Sequence, residues 1–207
     1  PVKPKPLPDV VEEELEYIES SGAQYIDTGV QLNSETDEVE IDFKITGVNA
    51  TSGIFGSRDG AYACNYSLHC TAEGSFNMVC DNQGSGSSQH RFSLNGNSNT
   101  RYIVRNSRSS RSLVEAGTSK VVGSDTQTAE SFSSTRNAYL FWGNVETAWQ
   151  KAKMRLYGCK ITRGGVPLRD FVPCRALGGG VETVCLYDKV TKGFFTNMGE
   201  GAFSGPV

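Results

Sequence analysis

The chain has 207 residues, 37% of them hydrophobic, and a formal net charge of −3. That length suits one domain, or one domain with a short appendage, and lets the chain bury roughly 70% of its unfolded surface without a metal or disulfide. Ordinary charge and apolar content exclude a disordered chain. No apolar run approaches the ~20 residues of a membrane span, residues 1–207 are not expected to include a signal peptide, and 23 glycines argue against a helix-rich fold.

Residues 1–10, PVKPKPLPDV, hold four of the seven prolines, a composition that favours extended polyproline II. With the acidic run Glu12–Glu14, residues 1–14 read as a proline-rich and acidic linker. Pro1 in place of Met reads as the start of a fragment, covalently continuous with an N-terminal region. From residue 15 to 207 a period of two dominates, as in half-buried strands. Leu15–Ile18 and Gln24–Asp27 are predicted strands on either side of Ser20-Ser21-Gly22. The clearest strand is Val39–Ile45: Val39, Ile41, Phe43 and Ile45 point one way, and Glu38, Glu40, Asp42 and Lys44 the other.

Further strands are predicted at Gly53–Gly56, Tyr62–Leu68, Ser75–Cys80, His90–Leu94, Arg101–Arg105, Lys120–Val122 and Asn137–Trp142. Lys153–Thr162, Val166–Pro173, Thr183–Tyr187 and Gly193–Thr196 complete the set, with one short helical turn at Val145–Lys151. Arg58-Asp59-Gly60, Asn95-Gly96-Asn97, Arg163-Gly164-Gly165 and Gly178-Gly179-Gly180 supply residues that tolerate positive φ. Many short strands at this spacing imply an all-β antiparallel sandwich or barrel with very little helix. Its expected core is Ile18, Tyr25, Ile41, Phe43, Ile45, Phe55, Leu140, Leu156, Ile161, Phe171, Leu186 and Phe194.

Charge is uneven along the chain. Residues 1–60 hold 13 acids against four bases, and residues 91–120 hold six bases against Glu115 alone. A pI near 5.5 argues against nucleic acid as a partner, though not against a local anion site in the basic stretch.

The opening Glu16-Tyr17-Ile18-Glu19-Ser20-Ser21-Gly22-Ala23-Gln24-Tyr25-Ile26-Asp27-Thr28-Gly29 resembles the start of laminin-G-like, concanavalin A-like modules. So do Arg155–Ile161, Leu168–Cys174, Leu186–Lys189 and Phe194–Asn197 near the end. Modules of this type occur in surface proteins of gut bacteria and in their phages. The resemblance covers residues 15–207, strongest at both ends. It implies a two-sheet jelly-roll β-sandwich whose terminal strands lie near each other, and carbohydrate binding as the associated role. Fold does not fix function.

Glucanases of this fold carry a Glu-x-Asp-x-Glu strand motif, whose alternation puts three carboxylates on one face for acid and nucleophile work. Here the run is Glu40-Ile41-Asp42-Phe43-Lys44. Lysine in the third position cannot protonate a leaving oxygen at neutral pH, so no catalytic residue is assigned. His69 and His90 lack a nucleophile partner in a known arrangement, and no phosphate loop or nucleophile elbow is present.

Cys64, Cys70, Cys80, Cys159, Cys174 and Cys185 form no Cys-x-x-Cys pair, so neither a metal site nor a cofactor is expected. They are either bridged or buried as free thiols. At least one bridge is expected, with Cys174–Cys185 across the Gly178–Gly180 turn the short candidate.

Candidate ligand-binding residues are Arg101, Arg105, Arg108 and Arg111, with Trp149, Tyr62 and Tyr66. Arginine takes anions bidentately, and a sugar's C–H face packs on an aromatic ring. The alternative for the arginines is a solvated basic strand edge. Trp142, in apolar Tyr139-Leu140-Phe141-Trp142, reads as core.

Three function classes follow. The first is a non-catalytic carbohydrate-binding or adhesive module of a larger extracellular bacterial surface protein, its partner a glycan or host surface glycoprotein. The second is a structural or receptor-binding domain of a phage virion. The third is a glycoside hydrolase, which Lys44 disfavours. Membrane insertion is not expected.

Overall fold

The computed structural model describes residues 7–47, 50–60, 63–71, 75–81, 91–95, 100–126, 128, 130–145 and 150–206. Every regular element among them is a strand. In chain order these begin with β1 (Val10–Glu14), β2 (Ile18–Ser21), β3 (Ile26–Asn33), β4 (Asp37–Gly47), β5 (Ser52–Asp59) and β6 (Ala63–Cys70). There follow β7 (Ser75–Asp81), β8 (Arg91–Asn95), β9 (Arg101–Asn106), β10 (Arg111–Glu115), β11 (Lys120–Asp125) and β12 (Ser133–Leu140). The last are β13 (Gln150–Lys151), β14 (Lys153–Arg163), β15 (Val166–Gly178), β16 (Val181–Asp188) and β17 (Gly193–Phe195).

The strands form the two sheets of a jelly-roll sandwich. The larger runs β11-β10-β9-β4-β14-β15-β16-β17, with β1 on β15 and β2 on β14. The smaller runs β3-β12-β5-β6-β7-β8, with the short parallel strand β13 on β5. The chain's two ends meet where the Glu19 amide donates to Ser204 O at 2.7 Å and the Ser204 amide donates to Glu19 O at 3.1 Å.

Alternation builds the core. On β4, Val39, Ile41, Phe43 and Ile45 are buried, and Glu38, Glu40, Asp42 and Lys44 face outward. Phe76 from the opposite sheet meets Phe43 edge-on, ring centroids 5.5 Å apart, and meets Tyr102 of β9 at the same separation. Each such side chain contributes ~1.5–3 kcal/mol by leaving water. Ten of the twelve expected core residues are buried; Tyr25 and Phe194 are half-buried and pack against the core from its margins.

β3 is an edge strand, and its edge is sealed. Arg169 Nε donates to Thr28 O at 2.9 Å, and Arg163 Nη2 donates to Gln31 O at 2.8 Å. Carbonyls so occupied cannot template another strand.

Four expectations need correction. Residues 10–14, read as linker, form β1, because Val11 has an apolar cluster to pack on and β15 offers a free edge. Gln150 and Lys151, read as helical, pair with β5; residues 146–149 lie outside the described residues. Arg111, read as a candidate anion ligand, opens β10 with its side chain fully buried against Asp125. The expected Cys174–Cys185 bridge is not formed: the two thiols sit 3.6 Å apart. Cys64, Cys70 and Cys159 form no disulfide among the described residues, and the Cys80 side chain lies outside them. Burial pushes the Cys70 thiol up to about 11 and the Cys159 thiol higher still, so both behave as inert core residues.

Candidate functional site

The outward face of the smaller sheet holds the most site-like chemistry. On β3 the inward residues are Ile26, Thr28, Val30 and Leu32, which leaves Asp27, Gly29, Gln31 and Asn33 outward. On β12, Ala138 and Leu140 point in, so Asn137 and Tyr139 point out. Register places Tyr139 opposite Asp27 and Asn137 opposite Gln31.

Strict alternation would next send Trp142 inward with Leu140. It does not, because Phe141 takes φ = +65°, a region that is costly for a bulky residue. Leu140 and Phe141 are therefore both buried, and Phe141 packs on Phe203 with centroids 4.7 Å apart. The Phe141 amide donates to Ile54 O and its carbonyl accepts from the Ala152 amide, each at 2.8 Å. The displaced register delivers Trp142 to the outer side. There it lies 5.3 Å from the Tyr25 ring and 6.0 Å from the Tyr139 ring, while Tyr25 and Tyr139 are 5.0 Å apart.

Three half-buried rings thus form one platform. Lys151 Nζ lies 4.8 Å from the Trp142 centroid and 5.7 Å from that of Tyr25, and Lys151 makes no ion pair among the described residues. Beside the rings, Asp27 Oδ1 accepts from the Gly29 amide at 2.8 Å and its Oδ2 accepts from Asn137 Nδ2 at 3.2 Å. Burial, and then the Asp27 charge, push the Tyr139 hydroxyl above its ordinary range, so it stays a neutral hydrogen-bond donor.

The segment after Trp142 is pinned between β12 and β5. The Asn144 amide donates to Gly56 O at 3.0 Å, Asn144 O accepts from the Arg58 amide at 3.1 Å, and Asn144 Nδ2 donates to Asn137 O at 2.9 Å. Gly53 permits the crossing, since a Cβ there would lie 2.4 Å from Gly143 N.

Polar groups surround the platform. A depression of about 600 Å³ is lined by Gln31, Asn33, Ser133, Asn137, Arg163 and Arg169, among others. Across Gly56 the same face carries Asn65, Ser67, His69 and Asn77, all buried. Rings flanked by amides and hydroxyls can bind a polyol: the rings take its C–H faces and the amides its hydroxyls. No group of three or more His, Cys, Asp or Glu side chains that could hold a metal is found among the described residues.

The arginines read from the sequence lie elsewhere and do not converge. Arg101 grips Asp42 through Nε and Nη2, both at 2.8 Å, and covers the Tyr157 ring at 3.7 Å. Arg105 donates to Glu40 at 2.6 Å and Arg108 to Glu35 at 3.2 Å. These are cross-strand and turn ion pairs on the larger sheet, and they occupy the Glu40 and Asp42 carboxylates of the glucanase-like run. Arg111 is internal. Tyr66 is fully buried, its hydroxyl donating to Asn106 O at 2.5 Å, so it serves the core and not a ligand. Tyr62 and Trp149 lie outside the described residues.

The platform residues Tyr25, Tyr139, Trp142 and Lys151 were not candidates from the sequence. Two aromatics had been read as core and Lys151 as helical. The one available signal was the aromatic density of Tyr139-Leu140-Phe141-Trp142, three rings in four residues.

No protein-family model matches the sequence, and no curated protein matches it significantly. Solved structures do match in fold. The CBM40 of the Ruminococcus gnavus IT-sialidase, solved with α2,3-sialyllactose, has a TM-score of 0.52 at 15% identity, over 74% of this chain and 92% of that one. A Bacteroides ovatus protein provisionally described as carbohydrate binding has a TM-score of 0.60 at 10% identity. That match covers 93% of this chain and 60% of the other. Identities this low establish a shared β-sandwich and nothing finer.

Proposed function

We propose that this chain is a non-catalytic carbohydrate-binding module of the lectin-like β-sandwich type, and that its ligand rests on Tyr25, Tyr139 and Trp142. The observation that carries the reading is the aromatic platform itself. A strained Phe141 backbone holds Trp142 outward beside two tyrosines, and strain of ~1–3 kcal/mol persists where the surroundings over-determine it, often at binding sites. Asn137, Gln31 and Lys151 supply hydrogen bonds around the rings. The sialyllactose-bound and carbohydrate-binding neighbours support the reading by analogy of fold. An extracellular setting belongs to the same proposal, because polymeric and glycoprotein glycans lie outside the cell. A bacterial surface protein would meet them there, and so would a virion protein displaying the module.

A glycan array followed by calorimetric titration tests this. The wild type is expected to bind at least one oligosaccharide with a Kd of roughly 10–1000 μM, as a shallow site on a well-hydrated ligand allows. Trp142→Ala should weaken binding at least about tenfold, the ~1.4 kcal/mol of one lost ring contact. Its unfolding free energy should fall by only about 1–2 kcal/mol, since the half-buried ring packs on two tyrosines at the margin of the core. Glycan binding that survives both Trp142→Ala and Tyr139→Ala would refute the site.

The non-catalytic part has its own check. Purified protein should release no reducing sugar from β-glucans. Release that disappears in Glu40→Gln would make it a hydrolase.

A further inference from the structure

Cys174 on β15 and Cys185 on β16 are direct cross-strand partners, eleven residues apart through the Gly178–Gly180 turn. Both are fully buried. With Ala176 they form a small cluster separate from the main core, packed against Val11 of β1, Tyr187 and Phe194. Directly opposed residues of antiparallel strands carry Cβ atoms ~4.5–5.5 Å apart, and a disulfide needs ~3.5–4.5 Å. Small side-chain rotations and a slight approach of two already paired strands therefore convert the 3.6 Å thiol contact into a bond.

We propose that Cys174 and Cys185 are a dithiol–disulfide couple that closes once the β15–β16 hairpin has paired but while it is still uncovered, and is sealed by the rest of folding. The oxidant is a small-molecule disulfide of the glutathione class. One cysteine thiolate attacks a sulfur of that disulfide, expels one thiol and forms a mixed disulfide. The second cysteine thiolate attacks the protein sulfur of the mixed disulfide and expels the other thiol. The two cysteines together lose two protons and two electrons, and the oxidant's S–S bond is reduced to two thiols.

The timing follows from burial. A shared S–H contact with Cys185, and burial, push the Cys174 thiol upward, so the folded dithiol presents almost no thiolate to an oxidant. A hairpin this local forms early, before Val11, Tyr187 and Phe194 cover the pair. The pair therefore records the redox conditions in which the chain folded rather than those in which it later works.

The test uses the whole wild-type chain, unfolded and reduced, then refolded in a buffer of oxidised and reduced glutathione. Free thiols are alkylated and the protein is digested with trypsin without reductant. Trypsin cuts after Arg175, between the two cysteines. The expected product is peptide 170–175 joined to peptide 176–189, separating on reduction. The crosslinked protein should melt about 5–10 °C above the reduced form. Native reduced protein in the same buffer should form the link at least about tenfold more slowly. Recovery of the two peptides only as separate alkylated species, or linked to other cysteines, overturns the couple. Equal rates in the folded and refolding protein overturn the sealing step.

Discussion

Arg163→Ala is expected to lower the unfolding free energy by about 3 kcal/mol, and Asp37→Asn by less. Asp37 opens β4 with its side chain fully buried, while Arg163 at the end of β14 is 43% exposed. The guanidinium donates to both carboxylate oxygens, Nε to Oδ1 at 2.7 Å and Nη2 to Oδ2 at 2.8 Å. Removing Arg163 leaves a charged carboxylate inside, held among the described residues by the Asn33 amide at 2.8 Å and the Thr36 hydroxyl at 3.1 Å. An uncompensated buried charge costs ~3–5 kcal/mol, and water reaching the vacated guanidinium position pulls this to the lower end. Removing the charge from Asp37 instead returns an already half-hydrated Arg163 to water, so Asp37→Asn costs about 1–2 kcal/mol of lost hydrogen bonding. Urea unfolding of the two single variants and the double variant measures this. The double variant should be more stable than the two losses added together. A cost for Arg163→Ala below about 1 kcal/mol would mean that the pair behaves as a surface salt bridge and that Asp37 is hydrated.

The same contrast of buried and exposed charge explains what could be read from the sequence. β4 was legible because its alternation is complete and one face is fully buried. The acid-rich first third and the basic stretch of residues 91–120 were legible as composition, but not as a contact. Strands β4 and β9 are adjacent in register, with Glu40 opposite Arg105 and Asp42 within diagonal reach of Arg101, so the uneven charge resolves into ion pairs across two strands. Each such exposed pair contributes only ~0.2–1 kcal/mol, yet together they leave the arginines engaged. Register between strands so far apart in sequence is set by the whole sandwich, and no local pattern reveals it. Trp142 was hidden for a different reason. A single left-handed residue at Phe141 reverses the parity of everything after it, and a phenylalanine carries no sign of that conformation. Gly53 and Gly56, which permit the arrangement, were visible only as the two ends of a predicted strand.

Gly56→Ala is expected to cost about 4 kcal/mol and to take the platform with it. Gly56 has φ = +125°, a region that L residues rarely adopt, and an added Cβ would lie 2.1 Å from Tyr66 O and 2.6 Å from the Ser67 Cα. The backbone term is ~1–3 kcal/mol and overpacking adds ~1–3 kcal/mol. Strand β6 cannot yield cheaply, because buried Tyr66 is tied through its hydroxyl to Asn106 O at 2.5 Å and Asp37 O at 3.3 Å. Gly56 also faces Tyr139 in the β5–β12 pairing, and its carbonyl accepts from Asn144, which anchors the segment following Trp142. Pushing β5 away from β6 therefore moves the floor under Tyr139 and the anchor behind Trp142 together. Stability and glycan affinity should fall in step for Gly56→Ala, whereas Trp142→Ala should lose affinity at a stability cost of only about 1–2 kcal/mol. Urea midpoints, set beside titrations with whichever glycan the array identifies, separate the two. A Gly56→Ala protein within about 1 kcal/mol of the wild type would show that β5 and β6 are not held as closely as drawn, and the claim that the sandwich rigidly presents these rings would fall with it.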